Sequence, residues 1–127
     1  MGQNRETGAA ANKYGHDMAG EVARLLGTQL LSSKSNEVEL LGERLVIKCA
    51  HRNVPQIGVS LTMLKRIDGI IAALEDRKGK YTFYRVSPQW YRGNMQVSRS
   101  KSPSAYKVMM VLCKTIRKTG RIIKKIT

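Results

Sequence analysis

An amine inside an apolar strand is the feature that most restricts this chain. Residues 44–50 read R-L-V-I-K-C-A. A near-continuous apolar run of that length suits a central strand buried on both faces. Lys48 lies within it, and an unpaired buried charge is costly, so the amine needs a reason. The preceding residues supply one. Ser35 to Ala50 reads as two short strands joined by a turn at Leu41-Gly42-Glu43, with Gly42 making the turn. Alternation places Glu37, Glu39 and Leu41 on one side of the first strand, and Val38 and Leu40 on the other. On the second strand Val46, Lys48 and Ala50 share a side, opposite Leu45, Ile47 and Cys49. Acids facing a lysine across neighbouring strands suit a metal-dependent phosphodiesterase site. They equally suit a plain cross-strand ion pair.

Around this hairpin the chain alternates helix and strand. Residues 1–12 are polar and rich in Gly and Ala, and predict a loose arm, helical towards its end. From Lys13 to Leu26 the stripe Met18, Val22, Leu25 and Leu26 predicts a helix that Gly27 stops. Glu21 lies beside that stripe. Residues 51–58, marked by Pro55 and Gly58, predict a loop. A second helix is expected from Ser60 or Thr62, burying Leu64, Ile67, Ile70, Ile71 and Leu74. A charged turn, Glu75–Lys80, leads to a strand over Tyr81–Ser87 that Pro88 ends. Gln89–Arg92 suits one helical turn, and residues 93–104 a basic loop with Arg99 and Lys101. The apolar centre Val108–Leu112 is strand or helix. The pattern predicts one α/β domain, a small mixed sheet flanked by helices. Its core spans residues 13–87, with a basic C-terminal extension over 88–127.

Charge narrows the class of partner. The 127 residues hold 23 Lys+Arg against 9 Asp+Glu, a net charge of +14. That excess repels itself and adds nothing to a fold, so a polyanion is the expected partner. Nucleic acid leads, because neutralising phosphates releases counterions; an anionic membrane surface comes second. The expected phosphate contacts are Arg52, Lys65, Arg66, Arg99, Lys101, Lys114, Arg117, Lys118 and Arg121. Trp90 and Tyr91 beside Arg92 suit either base stacking or capping of the core edge. Cys49 and Cys113 lack zinc-site spacing and read as reduced, mostly buried thiols in a cytoplasmic setting. No apolar run reaches membrane-spanning length.

An acid on one strand and a lysine on the next, after a helix carrying Glu21, resembles the PD-(D/E)XK, or restriction-endonuclease-like, superfamily. The resemblance covers roughly residues 13–87 as an order of elements: helix, strand, strand, helix, strand. Lys48 matches the family lysine, Glu37 or Glu39 the first acid, and Glu21 the helical acid. Val46 stands where the pattern has its second acid. The resemblance implies Mg²⁺ held by Glu37 and Glu39, with Lys48 as catalytic lysine and Glu21 as helper. Carboxylates suit that hard cation, which activates water and stabilises charge on the phosphate, while a lysine offsets charge in the transition state. DNA is the implied substrate, and a homodimer is plausible for a domain this small. Two other readings stay open: a non-catalytic nucleic-acid-binding protein, and a basic module for an acidic protein.

Overall fold

The computed structural model describes residues 5–32, 35–97 and 108–126. Its first element, α1 (Arg5–Leu25), begins within the segment expected to be a loose arm. It stops where Gly27 predicts. Gly27 takes φ of 81°. Its amide donates to the Arg24 carbonyl at 3.0 Å, and the Thr28 amide donates to the Ala23 carbonyl at 2.9 Å. This crossed pair satisfies the last carbonyls of the helix. Ala19, Val22 and Ala23 are fully buried against Val38, Leu45, Ile47, Ile71, Ala73 and Phe83.

The expected hairpin forms between β1 (Glu37–Leu40) and β2 (Glu43–Ala50), with Glu37 opposite Val46 and Leu40 opposite Glu43. Leu41 and Gly42 close it with φ of 53° and 81°. Two successive positive φ values give a turn whose twist matches that of the strands. Leu41 adopts this conformation despite its side chain, which is almost wholly exposed.

The next stretch departs from expectation. Residues 56–60 are not loop but a strand, β3 (Gln56–Ser60). Ile57 and Val59 are buried, and Gly58 between them leaves room that Met110 and Val108 fill. The second helix is also much shorter than expected. α2 covers only Leu61–Arg66, capped by Ser60, whose Oγ accepts from the Met63 amide at 3.1 Å. The apolar residues assigned to its later turns form a strand instead, β4 (Gly69–Arg77). Ile70, Ile71, Ala72, Ala73 and Leu74 are all fully buried. A helix would bury one stripe of such a run; a central strand buries both faces. Asp68 makes the switch between the two. Its amide donates to the Arg44 carbonyl at 2.7 Å, and its Oδ2 accepts from the Arg44 amide at 2.8 Å. That clasp sets β4 parallel to β2, with Leu45 opposite Gly69 and Ala50 opposite Leu74.

β5 (Lys80–Val86) pairs antiparallel with β4, as the aromatic and β-branched run predicts. Ser87 and Pro88 then open α3 (Pro88–Asn94), with the Ser87 Oγ accepting from the Trp90 amide at 3.0 Å. β6 (Gln96–Val97), β7 (Val108–Leu112), α4 (Cys113–Thr119) and β8 (Arg121–Ile126) follow. The C-terminal residues are no appendage to the core. β8 pairs with β5, and Ile116 of α4 is fully buried.

The result is a mixed α/β fold with two sheets. One has the order β1-β2-β4-β5-β8 and a single parallel step between β2 and β4; the other has the order β3-β7-β6. α1 covers one face of the larger sheet. The smaller sheet and the short helices cover the other, where Val46, Ile70, Leu74 and Tyr84 meet Val59, Leu64, Tyr91, Val111 and Ile116. Among the described residues no helix is long and apolar enough to cross a membrane.

Candidate nucleic-acid interface

The hairpin acids share a face with Lys48, as alternation predicts, but they do not meet it. The Glu37 carboxylate is only 4% exposed. Arg66, in the last turn of α2, grips it bidentately, Nε to Oε1 at 3.0 Å and Nη2 to Oε2 at 2.9 Å. Arg44 adds a bond from Nε to Oε1 at 3.1 Å, and the Ser35 hydroxyl donates to Oε2 at 2.9 Å. The Arg66 hydrogen bonds outweigh burial, and with help from Ser35 and Arg44 they hold the Glu37 carboxyl down to about 2.

The hairpin register explains why Lys48 stands apart. The Ile47 amide donates to the Asn36 carbonyl at 2.8 Å, which puts Lys48 two residues beyond the end of β1. Glu37 sits opposite Val46, and Glu39 opposite Arg44. Lys48 is therefore a diagonal neighbour of Glu37, and such positions are typically about 7–8 Å apart. Among the described residues no carboxylate forms an ion pair with it. Burial pushes its ammonium below the ordinary lysine range. Glu21 is further away in the architecture. It lies on α1, whose buried residues pack on the opposite face of the sheet, and its exposed carboxylate is bound by Arg24 of the next turn.

These positions test the implied Mg²⁺ site. Both oxygens of Glu37 already accept from guanidinium groups, and its charge is compensated by two arginines that are themselves nearly half exposed. Glu39 is exposed beside Arg44, and Val46 offers no oxygen between them. Among the described residues no three His, Cys, Asp or Glu side chains gather as a metal-binding set. As folded, Glu37 and Glu39 are not a metal-ready pair.

A different region concentrates uncompensated charge. The parallel strands β2 and β4 end side by side, and the register carries one row across the sheet: Ala50, Leu74, Thr82, Lys125. Beyond that row lie His51, Arg52, Arg77, Lys78 and Lys80. Glu75 turns towards the α1 side, where its Oε1 accepts from the Arg52 amide and its Oε2 from the Gly79 amide, each at 3.1 Å. Those amides, Gly79 first, hold its carboxyl below the usual range despite burial. His51 stacks on Tyr14 with ring centroids 3.7 Å apart and brings Nδ1 within 3.4 Å of Glu75. The Tyr14 and Tyr81 hydroxyls are bonded to each other at 2.7 Å, and burial pushes both upward.

On the other side of this end, Asp76, Arg77, Lys80, Lys125 and Ile126 line a cavity of about 290 Å³. Asp76 is bound by Arg117 through Oδ1 and accepts from the Thr82 hydroxyl through Oδ2 at 2.6 Å. Arg77, Lys80 and Lys125 are exposed. The ion pairs made by Glu21, Glu37, Glu43, Glu75 and Asp76 all use an arginine or a histidine as their cation.

The other expected phosphate contacts divide accordingly. Lys65, Lys114, Lys118 and Arg121 are exposed. Arg66 and Arg117 are tied to Glu37 and Asp76, and Arg52 lies against Glu75. Arg99 and Lys101 lie outside the described residues. Tyr91 is core: it is fully buried and its hydroxyl donates to the Met109 carbonyl at 2.6 Å. Trp90 packs against the same cluster, which favours the edge-capping role over base stacking. Cys113 is buried and Cys49 partly so, and burial pushes the Cys49 thiol up to about 12. Lys125 belongs to the basic C-terminal run that the sequence singles out for phosphate contact, whereas Arg77 and Lys80 lie in a stretch that reads only as a charged turn. No protein-family model and no curated protein matches the chain.

Proposed function

We propose that the protein binds nucleic acid, DNA foremost, through a basic surface on a restriction-endonuclease-like scaffold, and that it does so without cleaving it. The observation that carries this reading is how the acids are spent. Glu21, Glu37, Glu43, Glu75 and Asp76 are all engaged by arginine, histidine or backbone groups. The lysines of the β4–β5 turn, α4 and β8 are left facing water. Cations left free on the surface of a small domain are the electrostatic basis of polyanion binding.

The non-catalytic form is favoured because Arg66 and Arg44 occupy Glu37, where a metal would need its oxygens. Hydrolysis with Mg²⁺ is the second reading. Its support is that Glu37, Glu39 and Lys48 do lie on one face, in the helix-strand-strand-helix-strand order α1, β1, β2, α2, β4, with β3 added before α2. Two measurements separate the readings. Fluorescence anisotropy with a labelled DNA duplex should show binding that falls steeply with salt. Plasmid incubated with Mg²⁺ or Mn²⁺ should remain intact. Metal-dependent cleavage that disappears in Lys48→Ala would replace this proposal with the nuclease. Absence of salt-sensitive binding to both DNA and RNA would leave a module for an acidic protein.

A further inference from the structure

We infer that the cavity between the ends of β4, β5 and β8 is a phosphate-binding site, formed by Arg77, Lys80 and Lys125 around a phosphate monoester or diester. This deepens the nucleic-acid reading and rests on it for the source of the phosphate. Three neighbouring strands deliver the cations: Arg77 stands opposite Lys80 in the register, and Lys125 opposite Thr82 on the same strand as Lys80. Among the described lining residues Asp76 supplies the only carboxylate. Its oxygens accept from Arg117 and the Thr82 hydroxyl, which compensate part of its charge, and the three cations of the lining still outnumber it. Burial alone would raise the Asp76 carboxyl, but Thr82, Arg117 and nearby Lys125 hold it below its ordinary value.

The chemistry of the lining suits a phosphate. Arg77 offers a planar fork that can take two phosphate oxygens, and the lysines offer compact charges. Most of the exposed wall is apolar, Ile126 contributing to it, which suits the carbons of a pentose. Like charges held together repel, and an anion relieves that repulsion. β8 is also the outer strand of its sheet. Arg121, Lys124 and Lys125 are exposed along it, and such charges discourage edge-to-edge pairing with a second copy. The cavity therefore stays open to a ligand.

The test compares two double variants of equal charge. Lys80→Gln/Lys125→Gln removes two cations from the lining. Lys78→Gln/Lys124→Gln removes two from the same hairpin and strand without touching the lining. Anisotropy with a labelled DNA duplex is measured across a salt series, with far-UV circular dichroism checking the fold of both variants. The first variant should bind about tenfold more weakly at roughly 0.1 M salt, and its salt slope should fall by about 2. The second should lose less than half as much. Equal losses would overturn the site and leave only diffuse attraction, with the nucleic-acid reading intact. A second arm titrates inorganic phosphate into the labelled protein by NMR. If no nucleic acid binds but phosphate shifts the Lys80 and Lys125 amides, and the first variant abolishes those shifts, the site stands with a free phosphate as ligand and the nucleic-acid reading fails. If neither oligonucleotide nor inorganic phosphate binds, both fall.

Discussion

The hairpin face and the basic end of the sheet hold the same kinds of residue and use them in opposite ways. On the hairpin face one buried acid, Glu37, is held by two arginines and a serine, so charge is consumed to dock α2 against β1 and β2. At the sheet end the acids Glu75 and Asp76 are turned into backbone amides, Thr82 and Arg117, so the lysines beside them remain free. A buried, fully bonded carboxylate is structural. A surface cation with no acid is available to a ligand. The difference lies in the partners, not the residue types.

Each region can be probed on its own terms. The largest expected effect is on the joint that carries β8. A Cβ at Gly120 would lie 2.6 Å from the Ile116 carbonyl oxygen, closer than real contacts allow. Gly120→Ala should cost about 3 kcal/mol in urea denaturation and weaken DNA binding with it, because α4 or β8 must shift. An unchanged midpoint would mean that the joint relaxes freely.

Glu37→Gln comes next. It removes the charge but keeps the shape, and its half-exposed arginines can rehydrate, so a loss of about 2 kcal/mol is expected with DNA affinity nearly unchanged. The same group sets an acid dependence. Its folded carboxyl is held to about 2, below the ordinary 4.5. Its contribution is therefore complete above that ordinary value and is lost as pH falls towards 2. Wild type should lose stability across this window, and Glu37→Gln should show a flatter profile. A variant that binds DNA as poorly as Lys80→Gln/Lys125→Gln would erase the distinction between the two regions.

For the lysine pair the expectation is the reverse. Its denaturation midpoint should stay within about 0.5 kcal/mol of wild type, as for exposed side chains without partners. The smallest effect belongs to the turn. Leu41 holds φ of 53°, a conformation that asparagine tolerates better, so Leu41→Asn should stabilise the hairpin by about 0.5–1 kcal/mol without altering binding.

Local signals were readable where one physical cause acts alone. Gly27 ends α1, Gly42 turns the hairpin, Ser60 caps α2 and Pro88 separates β5 from α3. Each effect comes from one residue and its own backbone. The segment after Ser60 failed for a specific reason. Leu64, Ile67, Ile70, Ile71 and Leu74 match a helical stripe, yet Ala72 and Ala73 are buried too. A run buried all round carries no usable period. β3 was missed because Gly58, which reads as loop, is the position where Met110 and Val108 need room.

The chain alone determined its net charge, its α/β class, the hairpin and the burial of β2, because these follow from composition and neighbours in sequence. It also placed Glu37 and Lys48 on one face. Tertiary structure decided their roles. Arg66, 29 residues after Glu37, takes the carboxylate, and the pairing of β5 with β8 brings Lys125 beside Arg77 and Lys80. Whether an ionic group is compensated or free depends on what the fold brings within a few ångströms, and Coulomb attraction at that range is set by space rather than by separation along the chain.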